Sequence, residues 1–305
     1  MQITRLAGLV AATHTPFNTD GSLNLQAVET QARHLLDNQV NTVFIAGTTG
    51  ECHSLTLDER VRLAERWMAV ARGAALRVVI HVGGNCIEDC KILAAHANRL
   101  GAYAVAAMAP CYFKPQDLAA LVDWCALIAA SAPDTPFYYY DIPGLTGVNL
   151  PLHHFLEQAQ PRIPTLRGGK FTNSDLAAYL LCLRACGGVF DVAWGLDQML
   201  LGALAMGAVG AVGNTYNLAA PIYHRLIEHF QRGDLPAARE EQFRSARLIQ
   251  TLARHGFMPA AKAVMAMLGV DVGPARAPLA RLNCQEIARL RADLEHIGFF
   301  QWLRP

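Results

Sequence analysis

The segment Thr42–Val82 reads TVFIAGTTGECHSLTLDERVRLAERWMAVARGAALRVVIHV. It begins with a β-branched and aromatic run, Thr42–Ala46, and continues through helical periodicity at Leu57–Arg72. It ends in a second apolar run, Arg77–Val82. Both apolar runs are too hydrophobic to leave one face in water, which is typical of parallel strands covered by helices. The segment therefore predicts a strand–helix–strand unit.

The same unit repeats along the chain. The predicted strands are Leu6–Ala12, Thr42–Ala46, Arg77–Val82, Tyr103–Met108, Pro136–Tyr140, Thr165–Gly169, Phe190–Trp194 and Val209–Val212. The helices predicted between them are Leu25–Asn38, Leu57–Arg72, Ile87–Leu100, Gln116–Ala130, Leu152–Gln160, Ser174–Cys186 and Asp197–Met206. Eight repeats in about 215 residues, with no G-x-G-x-x-G after the first strand, favour a closed barrel over an open doubly wound sheet. We therefore predict an α/β fold, the (β/α)₈ TIM barrel.

Only helical periodicity continues after Asn217. The candidate helices are Ala219–Gln231, Leu235–His255, Pro259–Leu268 and Gln285–Phe299. We predict a catalytic barrel over residues 1–216 and a C-terminal helical domain over residues 217–305. Apolar stripes in this extension, such as Leu248 with Leu252, need a partner, either the barrel or another subunit.

Composition excludes several classes of protein. Of the 305 residues, 52% are hydrophobic and 17% are charged, and 26 Lys and Arg nearly balance 25 Asp and Glu. Such a balance, without a run of basic residues, predicts no nucleic-acid partner. Uncharged apolar stretches such as Leu6–Ala12 fall short of the roughly 20 residues that span a bilayer. Residues Met1–Pro16 lack the features of a signal peptide, so we predict a cytoplasmic protein without membrane contact.

The eight cysteines predict neither disulfides nor a metal site. No pair has C-x-x-C spacing. Cys86 with Cys90, and Cys182 with Cys186, are four residues apart, but no histidine lies at zinc-ligand spacing from them. We expect free thiols and no bound metal.

In a TIM barrel, functional residues collect at the carboxyl ends of the strands. Lys170 follows the sixth predicted strand, which predicts an amine inside the barrel mouth. A neutral lysine amine can attack a carbonyl carbon and form a Schiff base, an electron sink for breaking or forming a neighbouring C–C bond. Alternatively, the side chain extends to solvent at the rim. Tyr140 ends the preceding predicted strand, so its phenol either transfers protons beside that amine or is a core aromatic.

The loop Gly47–Glu51, GTTGE, connects a strand to a helix. Its backbone N–H groups and the hydroxyls of Thr48 and Thr49 can surround a carboxylate, and the alternative is an ordinary connecting loop. We interpret Glu51 as a structural, buried carboxylate that accepts backbone N–H groups. His81 is interpreted as a core histidine.

Four motifs in order resemble the N-acetylneuraminate lyase / dihydrodipicolinate synthase family of class I aldolases. They are Gly47–Glu51 (GTTGE), Tyr140–Gly147 (YDIPGLTG), Lys170–Thr172 (KFT) and Gly213–Asn217 (GNTYN). The resemblance covers nearly the whole chain. It implies a TIM barrel with a C-terminal helical domain, assembled as a homotetramer. It also implies activity on pyruvate or other 2-keto acids without metal or organic cofactor.

The resemblance also implies roles for individual residues. Lys170 corresponds to the imine-forming lysine and Tyr140 to the proton-transferring tyrosine. Thr48 and Thr49 correspond to the pair that binds the pyruvate carboxylate. Tyr112 corresponds to a tyrosine that, in some relatives, reaches a neighbouring subunit's site.

The subfamily depends on residues that meet the rest of the substrate. Leu145 stands where dihydrodipicolinate synthases carry an arginine for a second carboxylate, which disfavours that reaction. The chain resembles the sialic acid lyases, in which residues corresponding to Thr172, Gly195 and Asp197 bind the sugar chain. Gln198 and Asn214 depart from the glutamate and serine that are common in those enzymes and are also predicted to bind substrate; the loss of a charge at Gln198 weakens a hydrogen bond to a sugar hydroxyl.

The implied function is reversible cleavage of N-acetylneuraminate to N-acetylmannosamine and pyruvate through a lysine imine. Three alternatives remain open. The chain acts on another 2-keto-3-deoxy sugar acid, has 4-hydroxy-tetrahydrodipicolinate synthase-like activity, or is a keto-acid sensor that keeps the fold without catalysis.

Overall fold

The computed structural model describes residues 5–304. Eight parallel strands form a closed barrel in which each strand pairs with the next and the eighth pairs with the first. The strands are β1 (Gly8–Ala12), β2 (Thr42–Ile45), β3 (Arg77–His81), β4 (Ala104–Met108), β5 (Phe137–Asp141), β6 (Leu166–Phe171), β7 (Asp191–Trp194) and β8 (Gly210–Gly213). The predicted TIM barrel is confirmed, and every strand boundary lies within two residues of its predicted place.

The α-helices cover the outside of the barrel and continue beyond it. They are α1 (Ala27–Asp37), α2 (Leu57–Ala71), α3 (Ile87–Leu100), α4 (Leu118–Ala130), α5 (Pro143–Thr146), α6 (Leu152–Ala159), α7 (Leu176–Arg184), α8 (Leu200–Met206), α9 (Tyr216–Gln231), α10 (Leu235–Arg254), α11 (Phe257–Met267), α12 (Cys284–Ile297) and α13 (Phe299–Trp302). The helix predicted over Asp197–Met206 is a 3₁₀ turn, Asp197–Met199, followed by α8. The one predicted over Gln285–Phe299 is interrupted at Gly298, whose φ of 85° ends α12.

One prediction about β6 needs correction. The strand was predicted to end at Gly169, with Lys170 just beyond it, but pairing continues through Phe171. Lys170 is paired with Tyr140 on β5 and with Ala193 on β7. Hydrogen bonding to two neighbours therefore extends the strand past its glycines, and Lys170 is held by the sheet and not by a loop.

Alternation along the strands separates an inner from an outer core. Tyr138 and Tyr140 belong to the cluster inside the barrel, together with Val10, Phe44 and other small or aromatic residues. Tyr139 belongs to the larger cluster between the strands and the helices. Alternation along β5 therefore places Tyr138 and Tyr140 inside the barrel and Tyr139 outside it.

The C-terminal helices cover the barrel and one another. Leu248 and Leu252 on α10 are fully buried, so the chain itself covers this apolar stripe. Asn217 donates its side-chain N–H to the Ala12 carbonyl, joining α9 to the end of β1. The boundary predicted between residues 216 and 217 lies inside α9, and residues 1–4 and 305 of the two predicted domains lie outside the described residues. The division into two domains stays a prediction.

Gly168 should be the least replaceable glycine of β6. A Cβ built there would lie 1.6 Å from the Asp191 carbonyl oxygen, a backbone atom of the adjacent β7. Gly168→Ala must therefore push the two paired strands apart, and we expect a loss of about 3 kcal/mol in the free energy of unfolding, measured by urea denaturation. Gly73→Ala is the control, because nothing lies within 4 Å of its added Cβ. Equal unfolding midpoints for the two variants would contradict this expectation.

Candidate active site

The carboxyl ends of the strands enclose a cavity of about 300 Å³ at the barrel mouth. Of the residues predicted for the site, it is lined by Thr48, Thr49, Tyr140, Lys170, Gly195, Asp197, Gln198 and Asn214. Ile249 of α10 and Phe257 of α11 complete its wall from the helical extension. Strand ends thus supply the polar groups, and the C-terminal helices supply an apolar side.

Lys170 lies inside the barrel and does not extend to the rim. The residue is 5% exposed. Its Nζ is 4.0 Å from the ring centre of Tyr140 and 4.7 Å from that of Phe44. Two aromatic rings therefore confine the amine at the base of the cavity, where a carbonyl group can reach it.

Tyr140 connects the amine to the Gly47–Glu51 loop. Its hydroxyl oxygen is 3.2 Å from the Thr48 Oγ1. The Tyr140 ring contacts the His81 ring edge-on, with centres 5.8 Å apart. A proton can therefore pass between substrate and the Tyr140 hydroxyl while Thr48 holds that hydroxyl in place.

His81 supports this arrangement from inside the barrel. Its Nδ1 is 2.9 Å from the Ala46 carbonyl oxygen, and its Nε2 is 3.4 Å from the Met108 backbone nitrogen. Burial, reinforced by the nearby Arg60 charge, lowers the pKa of His81 well below its usual range. The neutral ring therefore donates from Nδ1 and accepts at Nε2, as expected for a satisfied core histidine.

Asn214 connects the end of β8 to the loop Gly47–Glu51. Its side-chain N–H donates to Thr49 Oγ1 at 3.3 Å. Its Oδ1 is buried and has no hydrogen-bond partner within residues 5–304. An amide oxygen in that state, on a residue that lines the cavity, can accept a hydrogen bond from a ligand hydroxyl.

Asp197 is buried beside the cavity. Burial raises the pKa of its carboxyl, while hydrogen bonds from Thr215 oppose the rise. The backbone N–H of Thr215 donates to Asp197 Oδ2 at 2.7 Å. A Cβ at Gly213 would lie 2.0 Å from Asp197 Oδ1, so only glycine leaves room for this carboxylate.

Thr172 and Tyr112 do not line the cavity in this chain. Thr172 lies directly behind Gly195, since a Cβ at Gly195 would be 2.2 Å from Thr172 Oγ1. That hydroxyl is buried and has no partner among the described residues. Tyr112 is 75% exposed and contacts the exposed Phe113. Its role in a neighbouring subunit's site stays a prediction.

Sequence reasoning missed Ile249 and Phe257. Their helices follow the last strand and carry apolar stripes, which indicate burial. Periodicity does not show which buried residue faces the cavity, because that depends on how α10 and α11 dock. Glu51 is buried as expected and accepts the Arg276 backbone N–H, but its ion pair with Lys262 was also missed.

Other features of the described chain bear on ligands. Between residues 5 and 304, no three His, Cys, Asp or Glu side chains are grouped so as to hold a metal ion. The eight cysteines are free. The helices of this part of the chain include none with the length and hydrophobicity to cross a membrane.

Asp141 makes stability depend on pH. It follows Tyr140 on β5, and burial raises the pKa of its carboxyl to about 7. The unfolded chain releases this proton near pH 4 and the folded chain only near pH 7, so stability falls as pH rises between those values. Asp141→Asn should therefore stabilise the protein by roughly 2 to 4 kcal/mol at pH 8 and by little at pH 4. Urea unfolding at both pH values tests this; an equal shift at both would contradict it.

Known proteins are similar to this chain over nearly its whole length. The model of the Dihydrodipicolinate synthetase family matches residues 5–297. N-acetylneuraminate lyase of Mus musculus is 38% identical over 299 residues, covering 97% of this chain and 93% of that protein. The Gallus gallus enzyme of the same name is 39% identical over 297 residues, covering 96% of each. The solved structure of Proteus mirabilis N-acetylneuraminate lyase has a TM-score of 0.94 at 39% identity, covering 97% of this chain and 100% of that one.

Proposed function

Because the chain belongs to the dihydrodipicolinate synthetase family, we propose that it is a class I aldolase that reversibly cleaves N-acetylneuraminate to N-acetylmannosamine and pyruvate. The observation that carries the proposal is the buried Lys170 amine, 4.0 Å from the ring of Tyr140 at the base of the cavity. The relatives named N-acetylneuraminate lyase, which match nearly the whole chain, support the choice of substrate.

Catalysis begins at Lys170. Its neutral amine attacks the keto carbon of the substrate. The Tyr140 hydroxyl gives its proton to the departing carbinolamine hydroxyl, so that water leaves, a protonated imine forms and Tyr140 is left as phenolate. The Tyr140 phenolate then accepts the proton of the C4 hydroxyl as the C3–C4 bond breaks, and the bonding electrons pass to the imine to form an enamine. The aldehyde product leaves, the enamine is protonated at C3, and hydrolysis of the imine restores Lys170. The imine is the electron sink, so the proposal needs neither metal nor organic cofactor.

The loop residues Thr48 and Thr49 bind the substrate carboxylate. Both residues line the cavity that contains the Lys170 amine. Thr48 also holds the Tyr140 hydroxyl, and Asn214 holds the Thr49 hydroxyl. Carboxylate binding therefore fixes the keto carbon in front of the amine.

The sugar-derived part of the substrate lies toward β7 and β8. Gly195, Asp197, Gln198 and Asn214 offer backbone, carboxylate and amide groups to its hydroxyls, and Thr172 acts from behind Gly195. Ile249 and Phe257 face the apolar edges of the sugar chain.

Neutral amides at Gln198 and Asn214 favour a second candidate, the same reaction on another 2-keto-3-deoxy sugar acid. Dihydrodipicolinate synthase-like activity is disfavoured because Leu145 offers no charge to a second carboxylate and is 65% exposed. A keto-acid sensor has no use for a buried amine beside a tyrosine. We further propose a cytoplasmic homotetramer, in which Tyr112 completes a neighbouring subunit's site.

The decisive experiment traps the imine. The protein is mixed with pyruvate and sodium borohydride, and the adduct is located by intact mass and peptide mapping. We expect a gain of about 72 Da, one condensed and reduced pyruvate, on Lys170. The chain has only three other lysines, Lys91, Lys114 and Lys262, so the assignment is unambiguous. A folded protein that gains no adduct would overturn the lyase proposal in favour of a sensor.

A substrate panel then separates the two sugar-acid candidates. The kcat/KM for cleavage of N-acetylneuraminate is compared with that for other 2-keto-3-deoxy sugar acids. We expect N-acetylneuraminate to be preferred. A higher value for another acid would show that Gln198 and Asn214 mark a different specificity.

A further inference from the structure

The loop that carries Thr48 and Thr49 has a residue with left-handed backbone dihedral angles at each end. Ala46 has a φ of 53° and Glu51 a φ of 55°. Side chains other than glycine persist in this region only where surrounding contacts hold them, and such residues cluster at functional sites. The Ala46 end is held by His81, whose Nδ1 lies 2.9 Å from the Ala46 carbonyl oxygen. The shape of the loop therefore depends on contacts at both of its ends.

The Glu51 end is held by the chain that follows the barrel. Lys262 on α11 places its Nζ 2.6 Å from Glu51 Oε1, and both side chains are 1% exposed. The backbone N–H of Arg276 donates to Glu51 Oε2 at 2.8 Å. The carboxylate is thus engaged at both oxygens by residues more than two hundred positions along the chain.

Lys262 is also linked to the neighbouring loop residue, Gly50. Its Nζ donates to the Thr15 and Pro274 carbonyl oxygens, both at 2.9 Å. Thr15 in turn donates its hydroxyl to the Gly50 carbonyl at 2.6 Å. The last two residues of the loop are therefore tied to one buried ammonium group, Glu51 directly and Gly50 through Thr15.

A buried ion pair often contributes little net free energy to the stability of a fold. Removing two charges from water is costly, and a well-packed apolar pair of similar volume often stabilises a fold equally well. The charged pair adds geometric specificity, because each oxygen and N–H group fixes the position of its hydrogen-bond partner. Here the pair fixes the position of Glu51, the left-handed residue that ends the loop Gly47–Glu51.

We propose that Lys262 and Glu51 are positioning residues that hold Thr48 and Thr49 in the conformation that binds the substrate carboxylate. The proposal rests on the lyase function proposed above. It makes α11 part of the keto-acid site although Lys262 lies outside the cavity wall. It also explains why a helix of the C-terminal extension is bonded to a loop of the second strand.

Loss of either charge should weaken pyruvate binding more than it slows the chemical step. The substrate carboxylate is bound in both the ground state and the transition state. Its contacts therefore affect mainly the pyruvate concentration at half-saturation. We expect Lys262→Met and Glu51→Gln to raise the half-saturating pyruvate concentration about tenfold or more, with the rate at saturation little changed. The double variant should be no worse than the single variants, because neither partner is then left alone.

The measurement is borohydride trapping on Lys170 of the full chain over a range of pyruvate concentrations, followed by mass and peptide mapping. Thr15→Val is included because it removes only the bond to Gly50 and should leave the protein folded; we expect a smaller rise in half-saturation. Thr15→Ser keeps the hydroxyl and should behave as the unsubstituted protein. Arg225→Met is the matched control, since it breaks a 3.0 Å ion pair with the buried Glu241 between α9 and α10.

The outcomes separate the two proposals. A rise in Lys262→Met, Glu51→Gln and Thr15→Val, but not in Thr15→Ser or Arg225→Met, supports the positioning role. If the first two variants do not fold, the comparison of Thr15→Val with Thr15→Ser decides it. Unchanged half-saturation in the folded variants, or an equal rise in Arg225→Met, overturns it. Absence of adduct in the unsubstituted protein overturns the lyase function, and the positioning role with it.

Discussion

Lys170→Ala is expected to lower kcat/KM for cleavage of N-acetylneuraminate by about 10⁴-fold or more, because no imine can form without the amine. The methyl group that remains cannot replace the nucleophile, and no second lysine among residues 5–304 lines the cavity. The substitution shortens a side chain between the Phe44 and Tyr140 rings without adding bulk or charge, so the fold should survive it. The assay is release of pyruvate at saturating and at low substrate.

Lys91→Ala is the control for this prediction. Lys91 lies on α3 and pairs with Glu88 at the surface, remote from the cavity wall. Its removal should leave turnover unchanged. Near-normal cleavage by a folded Lys170→Ala protein would remove the mechanistic basis of the proposed function.

Tyr140→Phe is expected to reduce kcat by about 10²- to 10⁴-fold, the usual contribution of a positioned acid or base. The ring contacts with Phe44, His81 and the Lys170 amine are kept, so only the hydroxyl is lost. Substrate should still bind, and KM should change much less than kcat. Single-turnover cleavage at saturating substrate measures the affected step.

Tyr138→Phe is the matched control, two residues earlier on β5 and inside the same barrel. Its hydroxyl donates to Asp191 at 2.9 Å, and Asp191 also accepts the Leu6 N–H, so the change should affect stability and not rate. A rate loss that is equal in the two variants would show that Tyr140 acts through packing and not through proton transfer.

Some features of the site were predictable because they are local. The GTTGE loop lies between a strand and a helix that periodicity identifies, so Thr48 and Thr49 could be placed at the barrel mouth. Tyr140 and Lys170 come from consecutive strands, and parallel pairing brings the ends of consecutive strands together. The prediction that Lys170 lies beyond its strand was wrong, since pairing with β5 and β7 extends β6 to Phe171.

The alternation of apolar strands and amphipathic helices by itself determined the barrel, and therefore the polar residues at its mouth. Only the tertiary structure decided that Ile249 and Phe257 line the cavity and that Lys262 meets Glu51. Strand alternation depends on spacing along the chain, whereas the docking of α10 and α11 depends on shape and charge matched between segments about two hundred residues apart. The sequence pattern of one segment therefore does not identify the residues of a distant segment that pack against it.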